Sequence, residues 1–174
     1  MRKIDTIIVH CSASSAGCAR LINDWHLSRG FNSIGYHFVI LNGRPYQGAK
    51  YMAALDGQIE VGRPLGQVGA HCKGYNRHSI GVCLIGRDDF TVSQFRALAA
   101  LCDDLESADM GPLLNIIPHA FYNKKKSCPN FDVEGVLNEY RKPCERKEIS
   151  NAKIYVTNAT NQLRKAYECL SGGV

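Results

Sequence analysis

Two histidines and one cysteine are the residues of this chain best suited to chemistry. His10 comes at the end of a short apolar stretch, and His119 follows another such stretch far along the sequence. Cys128 comes nine residues after His119, behind a run of three lysines. Two imidazoles and one thiolate can hold a catalytic zinc ion, with the fourth tetrahedral position open for water. Because the metal lowers the pKa of that water to about 7, this pattern is typical of metal-assisted hydrolysis.

The spacing of these residues leaves a second interpretation open. The sequence holds 6 histidines and 8 cysteines, so triples of this kind also arise by chance. In that interpretation His10 and His119 are polar residues at loop ends, and Cys128 is a small hydrophobic residue in the core. The residues by themselves favour this second interpretation, because the three partners are distant in sequence.

The elements that must position these side chains alternate between strands and helices. The dipeptide Asn42-Gly43 is the strongest hairpin signal, and it predicts a return strand over 44–47. Thr91 and Gln94 form a capping box at the start of an amphipathic helix. This alternation predicts the α/β fold class, with a mixed central β-sheet flanked by helices. Further strands are predicted over 4–9, 36–41, 58–61, 79–85 and 115–117, and further helices over 19–29, 133–140 and 159–170.

Length, composition and charge limit the class of protein. The 174 residues suit one domain with a short appendage, and 45% hydrophobic residues are typical of a globular chain. The net charge of +5 suits an anionic partner such as nucleic acid, lipid head groups or bacterial wall, but selects none of them. The sequence has no apolar run of membrane-spanning length and no signal-peptide pattern. We therefore expect a protein made in the cytoplasm, with reduced cysteines.

Six short motifs that occur in one order carry a family resemblance. Together they closely resemble the type 2 N-acetylmuramoyl-L-alanine amidases, and most nearly the bacteriophage T7 lysozyme group, which is related to the peptidoglycan recognition proteins. The resemblance covers residues 3–140 and implies the amidase type 2 fold. The motifs are 8–13 (IVHCSA), 25–26 (WH), 35–38 (GYHF), 69–76 (GAHCKGYN), 79–84 (SIGVCL) and 127–132 (SCPNFD).

The resemblance implies a ligand set, a reaction and a partner. By position, His10, His119 and Cys128 match the family's ligands for one Zn²⁺ ion. The implied activity is that of a phage endolysin, which hydrolyses the amide bond between the lactyl group of N-acetylmuramic acid and L-alanine of peptidoglycan. The implied partner is bacterial peptidoglycan rather than DNA, and the implied state is a monomer. We expect the protein in the cytoplasm of the producing cell, phage-infected or not, from which it reaches the wall without a signal peptide.

The resemblance also implies catalytic and substrate-binding residues. Tyr36 matches the family's catalytic tyrosine, and Lys126 matches the lysine that the phage enzymes use beside the metal. A preorganised hydroxyl or ammonium donor of this kind stabilises the oxyanion of amide hydrolysis. Lys125 is the alternative to Lys126, because the preceding loop is one residue longer than is typical. His71 and Asn76 match the motif that lines the substrate groove, although shaping a turn is an equally good interpretation of both.

Two segments depart from the family pattern. The segment 42–54 is longer than in the phage enzymes and is expected to edge the groove. Residues 143–174 have no counterpart, so we predict a zinc amidase domain over 1–142 and a helical C-terminal extension over 143–174.

Three other functions stay open at this point. The first is a catalytically weak relative that only binds peptidoglycan. The second is a relative that regulates a phage RNA polymerase, since T7-type lysozymes bind and inhibit their polymerase. The third is an interaction module with a structural zinc, whose fourth ligand would be Cys11 or His37.

Overall fold

A five-stranded sheet with helices on both faces forms the part of the chain that the computed structural model describes, residues 2–107 and 114–141. Four strands run parallel, and the edge strand β3 is antiparallel to its neighbour β2. The strand order is β3-β2-β4-β1-β5. The elements are β1 (Thr6–Cys11), α1 (Ala19–Ser28), β2 (Phe38–Asn42), β3 (Asp56–Val61), β4 (Ser79–Leu84), α2 (Val92–Ser107), β5 (Asn115–Pro118) and α3 (Val133–Tyr140), with 3-10 turns at Ala53–Leu55 and His119–Phe121.

The α/β class predicted from the alternation of elements is confirmed. The helices predicted over 19–29 and 133–140 and all five strands outside the hairpin signal appear, with ends shifted by no more than two residues. The helix predicted over 159–170, the boundary at residue 142 and the extension over 143–174 lie outside the described residues. Within 2–107 and 114–141, no helix combines the length and apolar composition needed to cross a bilayer.

The predicted return strand over 44–47 is wrong. The strand that pairs with β2 is β3, where Ile59 lies opposite Ile40 and is buried in the core. The segment 44–47 offers no comparable apolar residue to the core, and Pro45 lacks the N–H that a sheet ladder requires. The chain after Asn42 therefore forms a long loop that closes only at the 3-10 turn before β3.

The two faces of the sheet differ in what covers them. Helices α2 and α3 pack over the larger apolar cluster, which includes Val9, Val82 and Leu98. Helix α1 covers a smaller cluster that includes Ile22 and Cys83. Because α1 is short, part of this second face remains for the polar side chains described below.

A buried glutamine ties α2 to the sheet. The predicted capping box is present: Gln94 N–H donates to Thr91 Oγ1 at 3.0 Å, and Thr91 N–H donates to Gln94 Oε1 at 3.1 Å. The Gln94 amide nitrogen then donates to the carbonyl oxygens of Ile40 and Ile85, at 3.1 and 2.8 Å. Gln94 thus stabilises the helix start and joins the ends of β2 and β4, two of the strands that support the site.

We predict that Gln94→Ala lowers the free energy of unfolding by roughly 2–3 kcal/mol, because it removes the cap and the side-chain donor to the Ile85 carbonyl. The Ile40 carbonyl keeps a donor, the backbone N–H of Ile85 at 2.9 Å. Urea denaturation followed by circular dichroism measures the loss. Arg96→Ala, an exposed position on the same helix, is the control and should stay within about 0.5 kcal/mol of the parent. Equal stabilities for the two variants would contradict this role of Gln94.

Candidate active site and metal centre

The parallel sheet brings His10 and His119 together. His10 is the second-last residue of β1, and His119 directly follows β5, the strand paired with β1. Because parallel strands end at the same edge of a sheet, both imidazoles leave the sheet at the same place. Both side chains are buried, and their ring centroids lie 4.4 Å apart.

The loop after His119 returns Cys128 to this pair. Ala120 N–H donates to the Cys128 carbonyl at 2.9 Å, which closes the loop back onto its start. The backbone N–H of Cys11 donates to Cys128 Sγ at 3.3 Å. One potential ligand atom from each of His10, His119 and Cys128 lies within 4.8 Å of the others. The three residues that the sequence predicted as a unit are therefore a unit in space.

The protonation of the two imidazoles suits a metal. Burial lowers the pKa of His10 well below its usual value, and the neighbouring His71 and His119 lower it further. Burial and the charge of Lys126 lower the pKa of His119. Both rings are therefore neutral at pH 7, and a neutral ring has the free lone pair that a metal ligand needs.

The thiol needs a cation to become a ligand. The neighbouring Cys11 thiol, whose Sγ lies 3.9 Å away, and burial raise the pKa of Cys128. A divalent cation favours the thiolate, and the Cys11 N–H already donates to the sulfur. Two neutral imidazoles and one thiol fit Zn²⁺ better than they fit Mg²⁺ or Ca²⁺, which prefer oxygen ligands.

His71 lies against this cluster. Its Nδ1 is 3.1 Å from His10 Nε2. The His71 ring rests on two glycines: a Cβ at Gly81 would lie 2.5 Å from His71 Cγ, and a Cβ at Gly69 would lie 2.6 Å from Cδ2. Burial and the charges of neighbouring histidines lower the pKa of His71 to about 3. The structure therefore places His71 as a neutral ring in contact with His10.

Asn76 shapes the turn that carries His71. Its Oδ1 accepts hydrogen bonds from the backbone N–H groups of His71 and Cys72, both at 2.9 Å. This side-chain oxygen is therefore engaged within the turn.

Tyr36 lies across the same face of the sheet. Its ring centroid is 5.1 Å from that of His10 and 6.4 Å from that of His71. Burial, together with the neighbouring thiols of Cys83 and Cys128, raises the pKa of Tyr36 well above its usual value. The hydroxyl therefore stays protonated at neutral pH and can donate a hydrogen bond.

Of the two candidate lysines, Lys126 is the one whose charge reaches the cluster. Its charge contributes to the lowered pKa values of both His10 and His119. Lys125 is also exposed, and its backbone N–H donates to the Asn123 side chain at 3.2 Å. The electrostatics favour Lys126 over Lys125 as the lysine beside the metal.

Comparison with known proteins gives the family. The profile of the family described as N-acetylmuramoyl-L-alanine amidase matches residues 1–131. The endolysin of Klebsiella phage KP32 is 36% identical over 143 residues, which cover 74% of this chain and 82% of that protein. The endolysin of Escherichia phage T7 is 36% identical over 141 residues, with 75% and 83% covered. This chain belongs to the N-acetylmuramoyl-L-alanine amidase family.

Solved structures agree with this assignment. The N-acetylmuramoyl-L-alanine amidase LysC from Clostridium intestinale is 25% identical, with a TM-score of 0.64 over 79% of this chain and 85% of the other. Drosophila PGRP-LB, at 23% identity, shares the fold with a TM-score of 0.62 over 84% and 86%. The predicted resemblance to type 2 amidases, and with it the assignment as an amidase, is confirmed.

Sequence reasoning missed several contacts of this amidase. The hydrogen bond from the Cys11 N–H to the Cys128 sulfur was not predicted, and neither was the packing of the His71 ring on Gly69 and Gly81. His37, considered above only as a fourth ligand of a structural zinc, lies deep in the fold, where its Nδ1 accepts from Gly81 N–H at 2.9 Å. The metal-ligand cluster found among the described residues contains neither Cys11 nor His37. The sequence signal for this packing was the presence of glycines within the motifs, but a glycine does not show which side chain packs on it.

We predict that Gly81→Ala displaces the His71 ring and weakens the amidase, because the new Cβ would occupy the space of that ring. The expected result is a folded protein with a shifted His71 ring signal in NMR spectra and an activity loss of about tenfold or more. Gly66→Ala is the matched control, since nothing lies within 4 Å of its Cβ position. An unmoved His71 signal in Gly81→Ala would contradict this packing.

We also predict that the metal-free amidase loses stability as the pH falls from 7 towards 4. Burial lowers the pKa of His37 to about 4, so the unfolded chain takes up a proton below pH 6.5 that the folded state does not bind. The free energy of unfolding should therefore fall through this window, and the lowered pKa values of His10 and His71 add to the loss. Urea titrations at pH 7, 5.5 and 4 measure the slope, and a constant value would contradict the prediction.

Proposed function

We propose that this chain is a zinc-dependent amidase that hydrolyses the bond between the lactyl group of N-acetylmuramic acid and L-alanine of peptidoglycan. The observation that carries the proposal is the cluster of His10, His119 and Cys128 in a chain of the amidase family. When bound there, Zn²⁺ would supply a Lewis acid and a water of lowered pKa. The endolysin relatives support peptidoglycan as the substrate.

In this proposal Tyr36 and Lys126 stabilise the developing oxyanion. The Tyr36 ring lies beside that of His10 and its hydroxyl is protonated, so in this proposal the hydroxyl donates to the carbonyl oxygen as negative charge develops. Lys126 is exposed at the cluster and adds a positive charge on the solvent side. The metal-ligand cluster includes no carboxylate among the described residues. The proton for the leaving amine therefore comes from Tyr36 or from solvent.

His71 and Asn76 have supporting roles in the proposal. His71 contacts His10 through a nitrogen–nitrogen distance of 3.1 Å and limits how that ring can turn. We also infer that His71 borders the path of the substrate beside Tyr36, because the two ring centroids are 6.4 Å apart. Asn76 acts through the turn that presents His71 rather than through a direct contact.

A cavity at the amino end of β2 suits the stem peptide. It measures about 500 Å³ and is lined by Arg29, Phe31, Arg63 and Ala70. Ala70 directly precedes His71, so one wall of this cavity is continuous in the chain with the residue that contacts His10. The exposed Arg29 guanidinium suits a carboxylate of a peptide stem, because arginine binds carboxylates with two parallel hydrogen bonds. Arg63 contributes positive charge only, since its guanidinium already donates to backbone carbonyls of the fold.

The test is digestion of purified peptidoglycan by the zinc-loaded protein, with mass spectrometry of the soluble products. We expect stem peptides with a free N-terminal alanine. Cys128→Ala should lose both bound zinc, measured by elemental analysis, and this release. Tyr36→Phe should keep zinc and wall binding but lower kcat by roughly 100-fold, as for loss of one oxyanion donor.

Cys18→Ala is the matched control for Cys128→Ala, because Cys18 is a free cysteine outside the metal cluster. It should keep both zinc and activity. Undiminished release by Cys128→Ala in the presence of a chelator would contradict zinc dependence. Products that carry reducing sugar ends but no free alanine would contradict the proposed bond.

A further inference from the structure

A second cavity lies at the opposite, carboxyl end of β2. It measures about 480 Å³ and lies where three parallel strands end: Ser15 follows β1, Asn42 is the last residue of β2 and Arg44 follows it, and Asp89 follows β4. The carboxyl ends of parallel strands are where open α/β sheets bind ligands, because loops from neighbouring strands meet there. The reaction proposed above makes no use of any of these four residues.

The long loop after β2 builds one wall of this cavity. Gln47 Oε1 accepts a hydrogen bond from Ser15 Oγ at 3.0 Å, and the Arg44 guanidinium donates to the Ala49 carbonyl at 3.2 Å. The loop is therefore fastened both to itself and to the segment after β1. It coincides with the segment 42–54, which the sequence analysis predicts to edge the groove.

Tyr51 is an exposed aromatic side chain that the fold nevertheless holds in place. Its hydroxyl donates to Asp56 Oδ2 at 3.0 Å, and Asp56 Oδ1 also accepts from Thr91 Oγ1 at 2.6 Å. The ring lies on Gly43, where a Cβ would be 2.6 Å from Tyr51 Cε2. The side chain is still 50% exposed. A rigid aromatic ring on a cavity wall is preorganised for binding, since little conformational freedom is lost when a ligand packs on it.

The chemistry of the lining fits a carbohydrate. The opposite charges of Arg44 and Asp89 leave the cavity without an excess of either sign. Together with the Gln47 amide nitrogen they offer donors and acceptors for hydroxyl groups. Both ends of the Asn42 amide already hydrogen-bond within the cavity wall. The Tyr51 ring adds an apolar surface for the C–H face of a sugar ring. The cavity at the amino end of β2 differs, because its two arginines have no acidic neighbour in the lining.

We propose that the cavity of Tyr51, Arg44 and Asp89 binds the glycan strand of the substrate; the proposal rests on the amidase function proposed above. His10 is level with Cys83 and, through it, with Val39 of β2 in the strand registers. The cluster therefore lies between the two ends of β2. The bond to be cut joins a neutral sugar strand to a carboxylate-bearing peptide. The peptide then occupies the arginine-lined end and the glycan the tyrosine-lined end.

A binding measurement tests the site without requiring catalysis. The probe is a peptide-free tetrasaccharide of alternating N-acetylglucosamine and N-acetylmuramic acid, titrated into the protein by calorimetry. Tyr51→Ala should weaken binding about tenfold, as expected for loss of one aromatic contact. Tyr51→Phe keeps the ring and should stay within about threefold of the parent. Thermal unfolding of each variant checks that it is folded.

Tyr46→Ala is the matched control, because Tyr46 is 60% exposed on the same loop but does not line the cavity. It should leave the tetrasaccharide affinity unchanged. Equal affinities for Tyr51→Ala and Tyr46→Ala, or no tetrasaccharide binding to the parent protein, would overturn the proposal. Loss of stem-peptide binding rather than glycan binding in Tyr51→Ala would overturn it as well.

Kinetics separate this proposal from the amidase proposal. With wall polymer, Tyr51→Ala should raise KM about tenfold. Its kcat should not change, nor should either constant for a muramoyl-peptide that lacks neighbouring sugars. If amide cleavage occurs and does not depend on Tyr51, the amidase proposal holds and the glycan-site proposal is wrong. If glycan binding depends on Tyr51 but no amide is cleaved, the glycan-site proposal holds and the amidase proposal is wrong.

Discussion

The parallel pairing of β1 with both of its neighbours is the constraint on which the site depends. Thr6 lies opposite Ser79 of β4 and opposite Asn115 of β5, so the register of all three strands is set together. In this register His10, near the end of β1, lies beside His119, the residue that follows β5. A slip of one residue would turn His10 to the other face of the sheet, against the apolar cluster under α2.

Burial makes the histidine cluster possible. Three imidazoles that touch one another would repel strongly if they were charged, but burial lowers the pKa of His10, His71 and His119 alike. The His10 ring can therefore pack edge to face on His71 and tilted against His119, with centroids 5.1 and 4.4 Å apart. The same neutrality leaves lone pairs available. The packing that stabilises the metal-free fold therefore also prepares it for a cation.

The strands and the loops position different parts of the molecule. The strands set the position of the cluster, while the loops after β1, β2 and β4 supply the cavity at the carboxyl edge. Asp56, at the start of β3, links these loops by accepting hydrogen bonds from Tyr51 and Thr91. A ligand-binding surface of this kind keeps its shape because its loops are fastened to the scaffold, and loops can vary without disturbing the core.

The sequence by itself determined the family, the α/β class and most elements, and through the family resemblance it pointed to the candidate ligands His10, His119 and Cys128. These depend on local patterns: apolar periodicity, the capping box at Thr91, and motifs that keep their order. Only the tertiary structure decided the partner of β2, the contact of His71 with His10 and the cavity beside Tyr51. Each of these joins residues far apart in the chain or depends on strand register. Local patterns carry no record of such contacts, because the sequence signal of a glycine or a loop does not say which side chain will pack on it.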